Sequence, residues 1–232
     1  MKKLISFFAL SALIIVLTSG YSFAQFQLKL GPSAGLNYNI HTGSDLPQSG
    51  SGFGFVIGGQ VDMSFTPHIG LIANMQFYDN RSGSFSKTSS NQYTDQNTGA
   101  PITSTVSDQN DASIAYFMIE PLFKLSLANS GMFFFVGPAI GFNVQGSFQE
   151  TISETFPTGY QNNNTKQTSK GSIQNMNARF ELKLGGGYDI PLGGLYLTPQ
   201  VSFGYGLTQM KQDVNWRILT IQALVTVKFQ LI

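Results

Sequence analysis

Two histidines and no cysteine bound the chemistry this chain can perform. Without cysteine there is no disulfide, no thiolate nucleophile, no thiolate metal site and no acylated N-terminal cysteine of the lipoprotein kind. His41 precedes Ser44 and Asp45 closely enough to suggest a base and a nucleophile, as in barrel enzymes that transfer acyl groups or cleave lipids. Ser, Thr and Asp recur in every polar stretch, however, so the grouping carries no specificity. His68 beside Pro67 reads as a turn residue, and no metal-ligand spacing exists. What remains is a set of charges at even spacing: Glu120 and Lys124 in one stretch, Arg179, Glu181 and Lys183 in another. In extended chain such spacing puts each set on one face. There they could satisfy one another as a buried polar network or line an ion or proton path. The expectation is the network, with no catalytic residue, no cofactor and no metal.

Strands must position these charges. Phe117, Ile119, Pro121, Phe123, Leu125 and Leu127 share one parity and Tyr116, Glu120, Lys124 and Ser126 the other. After a turn around Asn129, Ser130 and Gly131, the stripe Met132, Phe134, Val136, Pro138, Ile140, Phe142 and Val144 alternates with Gly137, Gly141, Asn143 and Gln145. The same period of two runs through 26–40, 53–65, 69–77, 175–190, 195–207 and 219–231, which predicts eight strands. Lys29, Asp62, Asp189 and Lys228 join the five charges above, and all nine oppose the apolar stripe.

A soluble lipocalin-like barrel would hide that stripe, and a membrane barrel would show it to lipid. Phe53, Phe55, Phe65, Phe134 and Phe203 are too bulky to share the interior of eight strands. The opposite face, with Gly54, Gly58, Gly137, Gly141, Gly185, Gly187 and Gly204, suits a narrow, filled lumen. A charge facing mid-bilayer lipid costs about 2 to 4 kcal/mol, which explains the segregation. Phe26, Phe65 and Phe229 at one end of the stripes and Tyr38, Phe77, Phe117 and Tyr205 at the other read as interfacial girdles. Pro32, Pro121, Pro138 and Pro199 inside strands predict local bulges.

Composition agrees. Charged residues are 11% of the 232, against about 25% in an ordinary soluble domain. The net charge of +1 has no basic cluster behind it, so nucleic acid is not an expected partner. Lys2 and Lys3, the apolar run Leu4 to Leu17, and Ser22 and Ala24 ahead of Gln25 form a secretory signal over residues 1–24, leaving a barrel domain over 25–232. An exported chain with no apolar helix can span a membrane only as a closed barrel. Connections alternate long and short, as in outer membrane barrels, which places both termini on the periplasmic side. The long polar ones, about 79–112 and 149–172, are expected as outer loops, functional or mobile.

Phe117-Met118-Ile119-Glu120-Pro121-Leu122-Phe123-Lys124, Phe135-Val136-Gly137-Pro138, Leu184-Gly185-Gly186-Gly187-Tyr188 and Tyr205-Gly206-Leu207-Thr208 resemble the small outer membrane β-barrel proteins of Bacteroidota, grouped as the PorT family or outer membrane protein β-barrel domain. The resemblance covers Gln25 to Ile232. It implies outer membrane lipid and the insertion machinery as partners and, through the family name, an accessory role in protein secretion. Such barrels usually end on an aromatic residue, whereas this chain ends Phe229-Gln230-Leu231-Ile232.

The reading is therefore all-β: an eight-stranded antiparallel up-and-down transmembrane β-barrel with an N-terminal signal peptide. Its expected role is non-enzymatic, structural or exercised by outer loops that meet an unknown protein partner. A secretion accessory, a barrel enzyme at the outer rim and a soluble lipocalin-like binding protein are the alternatives.

Overall fold

The computed structural model describes residues 26–231 apart from 47, 49, 128, 129, 161, 162 and 213. The expected signal segment 1–24 and the turn centre Asn129 lie outside the described residues. Eleven antiparallel strands follow: β1 (Gln27–Thr42), β2 (Gly50–Ser64), β3 (Ile69–Asn80), β4 (Gly83–Thr94), β5 (Pro101–Ser126), β6 (Met132–Thr155), β7 (Thr165–Ser172), β8 (Arg179–Tyr188), β9 (Ile190–Leu192), β10 (Leu195–Gly206) and β11 (Arg217–Gln230). Eight of them close a ring in the order β1, β2, β3, β5, β6, β8, β10, β11 and back to β1. A ring has no edge, so its wall keeps no row of unpaired backbone groups.

The closing seam runs from Lys29↔Gln230 to Thr42↔Arg217. Gly31 and Gly35 sit there because a Cβ at either would collide with the carbonyl oxygen of Val227 or Ala223. At the end of the ring where both termini lie, connections are tight. Gly193 (φ 61°) and Gly194 (φ 100°) join β9 to β10 as a two-residue hairpin of the type that needs positive φ at both positions.

The faces of the wall are inverted relative to a soluble protein. Phe53 is 74% exposed and Leu36 62%, while Glu120 and Lys228 are 0% exposed and Arg179 1%. Burial of unpaired charge is prohibitive in any medium, and exposure of a continuous apolar belt is tolerable only against lipid. The stripes therefore face the bilayer, and the charges face the lumen.

The lumen is less uniformly small and polar than the sequence pattern suggests. Phe133, Phe135, Ile72 and Leu122 pack together inside it. Inward glycines create the room: a Cβ at Gly185 or Gly187 would run into the Phe135 or Phe133 ring.

The four prolines produce no bulges. Pro121 of β5 stands opposite Pro138 of β6, and the ladder stops at Ile119↔Ile140 and resumes at Phe123↔Val136 in unchanged register. Pro32 interrupts the seam in the same way, between Leu30↔Phe229 and Ser33↔Thr226. Two prolines facing each other forfeit hydrogen bonds together without displacing either strand. The register shifts lie elsewhere, at Ile57/Gly58, between Gln76 and Asp79, and at Ala115/Tyr116. They line up across β2, β3, β5 and β6, just beyond Phe77 on β3 and Phe117 on β5.

Beyond that level the two polar connections are strands rather than irregular loops. β4 pairs with β5 from Gly83↔Ala112 to Thr94↔Pro101, β5 with β6 out to Thr105↔Thr155, and β6 with β7 from Ser147↔Ser172 to Glu154↔Thr165. The result is a four-stranded blade continuous with the wall. Its Pro101–Ala112 stretch reaches roughly 40 Å at ~3.4 Å per residue. The face continuing the lipid side reads Ser84, Ser86, Thr88, Ser90 on β4 against Asp111, Gln109, Ser107, Thr105 on β5. The face continuing the lumen side carries Phe85, Tyr93, Ile102 and Val106. Alternation there is mostly hydroxyl against hydroxyl, so it carries no hydrophobic signal.

Candidate functional site

The charged lumen is the densest chemistry in the molecule, and parity builds it. Side chains two apart on each wall strand enter the ring together, so β8 delivers Arg179, Glu181 and Lys183, β5 delivers Glu120 and Lys124, and β11 delivers Lys228. They settle at three levels.

At the level farther from the termini, Arg179 Nε donates to Glu181 Oε2 at 2.8 Å and Arg179 Nη2 to the Ile218 carbonyl at 2.9 Å. Arg81 Nη2 lies 3.9 Å from Glu181 Oε1 and pairs closely with Asp79. Asp79 also accepts from Asn37 Nδ2 at 2.5 Å, and Arg81 from its other side donates to Thr220. At the middle level Lys183 Nζ pairs with Glu120 Oε1 at 2.5 Å and donates to Gln222 Oε1 at 2.9 Å. Asn74 donates to Glu120 Oε2 at 2.9 Å, and Gln60 and Gln200 bridge the ring at 2.9 Å. Nearest the termini, Asp62 accepts Lys124 and Lys228, each at 2.7 Å, and Asp189 accepts Lys228 at 2.7 Å with Lys29 at 3.5 Å.

Of the five charges singled out by sequence, Glu120 joins Lys183 and Arg179 joins Glu181, while Lys124 belongs to the separate Asp62–Asp189 level. Asp79 and Arg81 are the members the alternation does not reveal. Through Gln76 the even residues of β3 face inward, but Phe77 and Tyr78 both turn outward at the register shift. Inward parity becomes odd from there, and the next odd residues are Asp79 and Arg81, both 0% exposed. An Asp–x–Arg pair after adjacent aromatics is the one trace of this in the sequence.

Above the upper level an apolar cap closes the lumen. Phe85, Tyr116, Met118, Met210, Trp216 and Ile218 form one cluster there, with Ile173, Met176 and Val214 packed against it. The expected strand over 175–190 accordingly begins only at Arg179, since Asn175 is left-handed (φ 58°) and 173–178 folds over the cap. His41 lies in this cap. Trp216 Nε1 can only donate, so His41 Nδ1 at 3.0 Å accepts, and Nε2–H donates to the Ser82 carbonyl at 3.0 Å. Both ring nitrogens are thereby used. Ser44 instead donates to Asp45 at 3.1 Å and accepts from Asn215 at 3.0 Å, so the sequence grouping of His41, Ser44 and Asp45 is not a nucleophile–base pair. Among the described residues no cluster of His, Asp or Glu could hold a metal ion.

The charge pattern itself says what this lumen can do. Six bases (Lys29, Arg81, Lys124, Arg179, Lys183, Lys228) interleave with five acids (Asp62, Asp79, Glu120, Glu181, Asp189) among the described ion pairs. Selective pores present rings of one sign with room for the ion. Here neighbouring charges neutralise each other and fill the space.

A wall with charges inside and phenylalanines outside narrows the relatives to membrane barrels. The profile of the outer membrane protein beta-barrel domain matches residues 13–212. The chain belongs to this family. It is an outer membrane protein, and its wall strands are the transmembrane elements. No curated protein matches this outer membrane barrel in sequence. Among solved structures, Ail, the attachment invasion locus protein of Yersinia pestis, is 10% identical over 87% of this chain and 98% of its own, with a TM-score of 0.40. OprG of Pseudomonas aeruginosa is 9% identical over 88% and 94%, with a TM-score of 0.33. Neisserial surface protein A is 14% identical over 87% and 97%, with a TM-score of 0.32.

Proposed function

We infer that this outer membrane barrel is a closed, non-enzymatic scaffold that holds the β4–β7 blade on the outer side of the membrane as a surface for interaction. The blade carries the reading: β5 and β6 run 26 and 24 residues, while the other wall strands run 10 to 16. A transmembrane strand needs only about 9 to 11. The excess is ordered, polar and away from the termini, which is where an outer membrane barrel places its outward segments. The paired lumen and the occupied His41 ring support the non-conducting and non-enzymatic parts of the reading. Outer membrane lipid, the insertion machinery and an external protein are the partners this role requires. The motifs around Phe117–Lys124 and Leu184–Tyr188 support a narrower placement among PorT-type barrels.

Absence of native cysteine makes the test clean. Thr98→Cys at the blade tip should react with a membrane-impermeant maleimide on intact cells. A folded barrel left unlabelled would overturn the orientation. Excision of 86–109 and 150–169, each replaced by a two-glycine turn, should leave insertion and heat-modifiable gel mobility intact but fail to complement a deletion strain. Full complementation by the excised barrel would overturn the role of the blade.

A further inference from the structure

The blade meets the wall at a cleft of about 500 Å³ whose polar side chains come from the lipid-side face, beside Ala112 and Phe148 of the intervening lumen-side row. Ser113 and Ser147 are cross-strand partners at its floor, and Ser84, Asp111, Gln149 and Lys170 form one continuous row across β4, β5, β6 and β7. Phe85 and His41, which mark the lumen side at this height, take no part in it. The cleft therefore opens toward the membrane surroundings, away from the barrel axis.

Its depth is set by the apolar belt. Ser113 lies four residues beyond Phe117 and Ser147 three beyond Val144, the last outward apolar residues of their strands. That is roughly 10 to 14 Å along the strand, or about 7 to 10 Å in depth at a ~45° tilt, the level of lipid headgroups above a ~30 Å core. The lining matches what a sugar headgroup presents. Hydroxyls and an amide exchange hydrogen bonds with sugar hydroxyls, Asp111 accepts from them, and Lys170 offers an ammonium to a phosphate. Asp111 receives Gln109 Nε2 at 3.2 Å, which leaves it lone pairs for a ligand, and Lys170 forms no ion pair among the described residues. Further out, the same face continues as the ladder of hydroxyls on β4 and β5.

We propose that this cleft binds the phosphorylated saccharide headgroup of an outer-leaflet glycolipid, so that the lipid interface of the wall continues upward onto the base of the blade. The acyl chains lie along the apolar belt below, and the sugar sits against Ser84, Ser113 and Ser147 with its phosphate at Lys170. The proposal rests on the outward orientation inferred above and adds the ligand class.

The experiment uses the purified full chain in detergent, fluorescently labelled lipid A as the probe and phosphatidylglycerol as competitor, read by anisotropy. Saturable binding that an excess of phosphatidylglycerol does not displace is the expected result. Lys170→Glu should weaken it about tenfold, the size of one lost charge-assisted contact. Ser147→Trp, which fills the floor, should weaken it at least as much, with heat-modifiable mobility unchanged in both. Equal affinity for the wild type and both folded variants, or equal displacement by phosphatidylglycerol, overturns the proposal. If Thr98→Cys labels on intact cells and the cleft variants change nothing, the headgroup assignment fails by itself. If Thr98→Cys does not label, the orientation has failed.

Discussion

Lys183 has no water to fall back on, so its charge depends on Glu120 and Gln222. Glu120→Gln preserves shape and removes the counter-charge, which should cost about 3 to 5 kcal/mol, as for other broken buried pairs. Adding Lys183→Met should restore much of that, because no charge then remains unpaired. Urea midpoints of the folded-to-unfolded gel shift measure both, and a double variant worse than the single would contradict the pairing. These residues were legible in the sequence because they stand in the regular part of their strands. Asp79 and Arg81 were not, since their inward direction depends on Phe77 and Tyr78 both turning outward, a backbone event that alternation cannot encode. The His41 cap was missed for a related reason: Met210 and Trp216 sit in a polar connection with no period and meet Phe85 only through tertiary contact.

Strand by strand, two predictions follow from geometry. Gly35→Val places a branched side chain against the Ala223 carbonyl at the β1–β11 seam, and a seam that cannot close should leave the chain uninserted. Heat-modifiable mobility should be lost, whereas Gly99→Ala at the open blade tip, where φ is 71° but nothing lies within 4 Å, should retain it. The blade has its own polar ties. Tyr160 donates to Asp95 and holds that carboxyl down at about 2, and Ser104, then Tyr93, lower Glu154. A carboxyl depressed on folding contributes stability above its unfolded value of about 4 and loses it as the pH falls through the folded value. The blade tip should therefore become sensitive to an acid protease between about pH 4 and 2 while the wall stays resistant. Tyr160→Phe should move the onset of cleavage upward in pH. An onset that does not move would show the tie to be idle. In the sequence these strands looked like loops because Ser and Thr alternate with Ser and Asn.

Taken whole, the molecule is a wall whose lumen is filled with paired charges and a blade that the wall carries. In planar bilayers the purified chain should give no stepped conductance at neutral pH, because three levels of ion pairs and the Trp216 cap lie in series along the axis. Regular openings in the wild type would contradict a filled lumen. The eight-stranded architecture was readable from parity alone, since one face must be apolar over a full membrane thickness and errors there are expensive. The eleven-stranded sheet was not, because outside the membrane nothing forces a strand to advertise itself.

The register shift at Phe77 and Tyr78 also divides the chain by its tolerance to length change. Loss of a single codon there would rotate Asp79 and Arg81 toward lipid and take Arg81 away from Glu181, so one residue should be less dispensable than twenty in the blade. Past Ala112 and Phe148, whole rows across β4, β5, β6 and β7 can be removed two by two with every remaining pair still matched. Variation in length among descendants of this sequence should therefore come in even, paired steps in the blade and be absent at the aromatic doublet.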